Sequence, residues 1–88
     1  MTTDVTQVTV EELAALMKKA AGVSVDPQEL ERRVDTPFGE FGLDSLGLLG
    51  IVGELENRHG RALPTDAERC KSPRAFLNLV NGALTTGA

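Results

Sequence analysis

Few residues in this chain could do covalent chemistry. There is one cysteine, Cys70, and one histidine, His59. A serine activated by histidine needs the imidazole within hydrogen-bond reach. Ser45 and His59 stand at opposite ends of one predicted helix, fourteen residues apart, which separates them by about 20 Å. One His and one Cys do not make a zinc site, C-x-x-C spacing is absent, and a lone cysteine forms no intrachain disulfide. No G-x-x-x-x-G-K-[ST] phosphate loop occurs. These absences argue against an autonomous enzyme. What remains is Ser45 in the run "FGLDSLGLL". A serine at a helix N-terminus lies where free backbone N–H groups and the helix dipole favour negative charge, so a phosphate ester on its hydroxyl would be well placed. The same "DS" pair also reads as plain N-cap chemistry.

The helix that would hold Ser45 is predicted over 45–59. On a helical wheel Leu48, Leu49, Ile51, Val52 and Leu55 form a broad apolar stripe. Glu56 intrudes at its edge. Gly60 suits the C′ position, with Arg58 and His59 favourable in the last turn. Upstream, Thr9 and Glu12 form a capping box for a first helix over 10–21, with Val10, Leu13, Leu16, Met17 and Ala20 at helical spacing and Gly22 as its stop. Residues 22–44 make a long connection, with a short helix at 27–33 opened by Asp26-Pro27 and the acid Glu29. Leu30, Val34, Phe38, Phe41 and Leu43 would pin that loop. Downstream, Leu63-Pro64 gives a turn, Asp66 caps a short helix at 66–70, and Ser72-Pro73 opens a last helix to about residue 84. No strand alternation or repeat is visible. The expectation is an all-α bundle of three main helices and one or two short ones, a single domain with 1–8 and 85–88 frayed.

The 88 residues carry a net charge of −4 and only three aromatics, all Phe. Between Val25 and Glu56, eight carboxylates face two arginines. That excess argues against nucleic acid and is either a solvated face or a surface that steers toward basic partners. No apolar stretch has membrane-spanning length, and the N-terminus lacks a signal-peptide pattern. A cytoplasmic monomer is expected.

The run "FGEFGLDSLGLL" resembles the modification site of acyl carrier proteins. The resemblance extends through "TVEELAALMKKAAG", the acidic loop, "ENRHGRALPTD" and "SPRAFLNLVNGAL". The last of these is similar to the closing helix of carriers from type II aromatic polyketide synthases. It implies a non-catalytic carrier bearing 4′-phosphopantetheine, from coenzyme A, on Ser45, with starter, extender and growing polyketide chains held as thioesters. Asp44 would help a phosphopantetheinyl transferase engage the serine, and Leu46 would touch partners. The implied partners are that transferase, a ketosynthase/chain-length factor and an acyltransferase, with a ketoreductase and a cyclase. We expect the acyl chain to insert against Val52, Leu55 and Leu63. Fatty-acid and peptidyl carriers are alternatives, as is a non-carrier interaction module in which Ser45 is only a cap.

Gly47, Gly50 and Gly53 depart from the family pattern. Each weakens a helix by roughly 1 kcal/mol against Ala. The wheel places all three outward, opposite the stripe, which makes them candidates for close approach by a partner. Carriers commonly show acids on this face, and Gly50 stands where one is usual. The nearby acids are Asp44, Glu54 and Glu40. His59 also replaces a commoner aromatic or aliphatic residue and reads as a core-edge histidine.

Overall fold

A computed structural model describes residues 7–86, with side chains from 7 to 84. Helix α1 spans Val10–Ala21, α2 Pro27–Arg32, α3 Ser45–His59 and α4 Pro73–Thr86. Single 3₁₀ turns occupy Phe38–Phe41 and Thr65–Arg69. Among the described residues there is no strand, in line with the all-α expectation.

The ends of the helices follow from local chemistry. The Thr9 hydroxyl accepts from the Glu12 N–H at 3.1 Å, but the reciprocal half of the capping box is missing. The Glu12 carboxylate instead takes Arg58 of α3, also at 3.1 Å. Gly22 and Gly60 end α1 and α3 in the left-handed conformation, at φ 72° and 66°. Asp26 precedes Pro27 but makes no side-chain cap, and Glu29 pairs with Arg32 and Arg33. The Ser72 hydroxyl caps α4 through the Ala75 N–H. The segment expected as a helix at 66–70 is a 3₁₀ turn that starts behind Pro64, without a cap from Asp66.

The core is wholly apolar among the described residues, built from Leu13, Leu16 and Met17 of α1, Ile51 and Leu55 of α3, and Phe76 and Val80 of α4. Leu30 of α2 closes one side. Val8, expected to fray, is buried at 3% exposure. Its N–H donates to the Asn81 side-chain oxygen at 2.6 Å, and its carbonyl accepts from the Asn81 amide at 3.1 Å. The frayed end therefore cannot include Val8, and α4 continues to Thr86; residues 1–6, 87 and 88 lie outside the described residues.

The loop from Arg33 to Asp44 is held by α4 and the segment before it. The Arg74 N–H donates to the Val34 carbonyl at 2.8 Å, and the Arg74 guanidinium grips Asp35 with two hydrogen bonds. Phe38 is buried edge-on against Phe76, with ring centroids 6.0 Å apart. The Phe38 N–H donates to the Lys71 carbonyl at 2.7 Å. Arg33 lies over the Phe41 ring at 4.6 Å. These contacts fix the entry to α3 and so the place of Ser45.

Candidate functional site

Ser45 is the first residue of α3 and is exposed. The cap belongs to its neighbour. Asp44 has extended backbone angles, and its carboxylate accepts from the Gly47 N–H at 2.8 Å. Among the described residues the Ser45 hydroxyl has no hydrogen-bond partner. The reading of Ser45 as a cap is therefore corrected: Asp44 closes the helix end and leaves the hydroxyl free. A cavity of about 360 Å³ opens beside it. Phe38, Leu43 and Leu48 form its apolar side, while Arg69 and Lys71 stand on its rim. The opposite flank of Asp44 carries a second cavity of about 270 Å³, walled by Ala20, Ala21, Gly42, Leu46 and Gly47.

The outward face of α3 differs from the wheel. Leu49, placed in the core stripe, is 44% exposed, and Leu46 is 74% exposed. They are the two large apolar side chains that the described residues leave exposed. Gly47, placed outward, is buried. A Cβ there would meet the Ala21 Cβ and the Leu43 Cδ1, each at 2.8 Å. The expectation that partners read Gly47 is thus overturned, because α1 already covers it. Gly50 and Gly53 are exposed as expected. A Cβ at Gly50 would touch Ala20 at an ordinary 3.5 Å, and one at Gly53 would meet nothing.

From Ser45 to Gly53 the helix holds no charge. The Glu54 carboxylate binds Lys19 of α1 at 2.8 Å, and this hydrogen bond holds its pKa below the usual value. Glu56, at the edge of the apolar stripe, accepts from the Leu63 N–H at 2.8 Å and secures the turn after α3. Val52, Leu55 and Leu63 are core residues at 8% exposure or less, and none of them lines the cavity beside Ser45. His59 is half-buried, with its Nε2 enclosed and unpartnered. Burial, and then the nearby Asp66 carboxylate, push the Cys70 thiol pKa up.

The phosphopantetheine attachment site family matches residues 11–80, a span that includes Ser45. The chain is 74% identical to the curamycin polyketide synthase acyl carrier protein of Streptomyces cyaneus over all 88 residues, covering the whole of both. The chain belongs to the polyketide synthase acyl carrier proteins. A probable acyl carrier protein of Streptomyces coelicolor is 68% identical over 92% of this chain and 90% of its own. The solved actinorhodin holo acyl carrier protein from S. coelicolor matches over the full length of both chains, with TM-score 0.76 and 33% identity. As a member of this family, the protein carries 4′-phosphopantetheine. Sequence reasoning singled out the serine as a candidate from its placement. It missed the cavity, because the cavity's walls come from segments distant in sequence.

Proposed function

We propose that Ser45 is the attachment point and that the protein is a single-domain, non-catalytic, cytoplasmic carrier. It tethers starter, extender and growing polyketide chains for the enzymes of a synthase. One observation carries the site assignment: Asp44 takes over the helix cap and leaves an exposed, unpartnered hydroxyl at the first position of α3. The site suits a phosphodiester. The backbone N–H groups of Ser45 and Leu46 have no acceptor among the described residues, and a helix N-terminus favours an anion. In the modification, the Ser45 oxygen attacks the β-phosphorus of coenzyme A, and the pyrophosphate bond breaks to release adenosine 3′,5′-bisphosphate. The hydroxyl proton must go to a base on the transferase, since His59 is about 20 Å along the helix. Once attached, the arm supplies a thiol on which acyl groups are held as thioesters.

The remaining roles follow from exposure. Leu46 and Leu49 stand next to the attachment point, where the transferase, ketosynthase/chain-length factor and acyltransferase must approach. Exposed apolar groups in such a place mark contact surfaces. Gly50 and Gly53 keep that face low. Val52, Leu55 and Leu63 would receive a chain only if α3 moved from the turn after it, since they are packed as core.

The test is intact mass after incubation with coenzyme A and a broad-specificity phosphopantetheinyl transferase. The wild type gains one phosphopantetheine and Ser45→Ala gains none. A wild type without mass gain would return the chain to the interaction-module reading.

A further inference from the structure

Several carboxylates of this chain are held in ion pairs within the fold: Glu12, Glu29, Asp35 and Glu54. Glu11, Asp26 and Glu31 are different. All three are exposed, and their side chains make no ion pair or hydrogen bond among the described residues. They line one groove between α1 and the start of α2. Its wider part has a volume of about 370 Å³, with Ala14, Ala15, Val25 and Pro27 as an apolar wall. A narrower part of about 220 Å³ runs on past Val10 to Glu31, and the two meet at Glu11 and Pro27. Lys18 is the cation on this lining, so the carboxylates outnumber it. Glu11, Ala15 and Lys18 share a face of α1 at helical spacing. Glu12 and Lys19, on the neighbouring face, pair with α3. The groove has no lining residue in common with either cavity at Ser45.

We propose that this groove is a docking site for a basic segment of the ketosynthase/chain-length factor. The inference rests on the carrier reading of the protein. An apolar wall edged by charge has the anatomy of a protein contact, with a dry centre and a polar rim. An apolar side chain of the partner takes the wall of Ala14, Val25 and Pro27. Lys or Arg side chains beside it meet Glu11, Asp26 and Glu31, which have no internal ion pair to give up first. An acidic segment would set like charges against each other there, which selects against it. The chain-extending subunit has to hold the carrier while the arm reaches into it. A contact clear of Ser45 leaves the arm free to do so.

The experiment measures the Kd of the phosphopantetheine-loaded protein for the ketosynthase/chain-length factor of its synthase, with loading checked by intact mass. The double variant Glu11→Gln, Glu31→Gln removes two rim charges at exposed positions without internal contacts. Its Kd rises about two- to tenfold, the range for exposed charge pairs, and its salt dependence is flatter than that of the wild type. Ala15→Gln keeps the net charge and the helix but fills the groove wall, and its Kd rises as well. Thermal melting verifies the fold of both variants, and the transferase loads both at the wild-type rate, since Ser45 is untouched. A wild-type Kd in the double variant would overturn the proposal, because no basic segment would then be reading the rim. So would a wild-type Kd in Ala15→Gln, which would leave only the field of the whole protein. Absence of mass gain would instead strike the carrier reading itself.

Discussion

Asp44 and Ser45 are adjacent polar residues at one helix end, and only one of them is used by the helix. Asp44 satisfies the Gly47 amide, so Ser45 is free for modification without loss of the cap. The glycines divide in the same residue-by-residue way. Gly47→Ala would press a methyl onto the Ala21 Cβ, which is fixed to the backbone and cannot swing aside. We expect a loss of about 1–3 kcal/mol by denaturant unfolding, as for other overpacked sites. Gly53→Ala meets open space and should gain roughly 0.5–1 kcal/mol. If both variants were equally stable, the placement of Gly47 against α1 would be wrong. The serine was legible because a short motif and its flanks point to it. Gly47 was not, because a wheel weighs side chains and glycine has none. A close helix crossing at glycine looks like surface in the sequence.

At the scale of elements, the ends of α1 and α3 were legible from their caps and stop glycines, which act within a few residues. The 3₁₀ turn at Phe38–Phe41 was not. Its determinants are the Phe76 ring and the Lys71 carbonyl, more than thirty residues away. The apolar loop residues were readable as pins, but their partners were not. Phe38→Ala should therefore loosen the entry to α3 as well as the core. Loss of a buried Phe costs about 3–5 kcal/mol. Hydrogen exchange should quicken from Phe41 to Leu46 more than in α1. Uniform quickening would mean that Phe38 is core alone and does not position the site.

Over the whole molecule, the acidic excess is handled by ion pairs that join elements. Glu54 meets Lys19, Glu12 meets Arg58, and Asp35 meets Arg74. Hydrogen bonds from Arg74 and Lys19 hold the pKa values of Asp35 and Glu54 below 3.8 and 4.5. Both groups are depressed in the folded state, so their contribution is present above those unfolded values and is lost as pH falls through the folded ones. The pairs are exposed, and salt weakens them. The double variant Asp35→Asn, Glu54→Gln should melt below the wild type near about pH 7 and converge with it as pH falls through the lowered folded values. A gap that stayed constant across this range would exclude ionic coupling as its cause. The carboxylate excess itself was plain in the sequence. Its use in cross-bracing helices was not, because each pair spans 35 or more residues.

The central claim is that a free Ser45 hydroxyl is the attachment point, and location of the added mass tests it most directly. Trypsin would release residues 34–58 as one peptide, which contains two hydroxyl side chains, Thr36 and Ser45. Fragmentation of this peptide from transferase-treated protein should place one phosphopantetheine on Ser45. An unmodified 34–58 peptide, or the added mass on Thr36, would contradict the account.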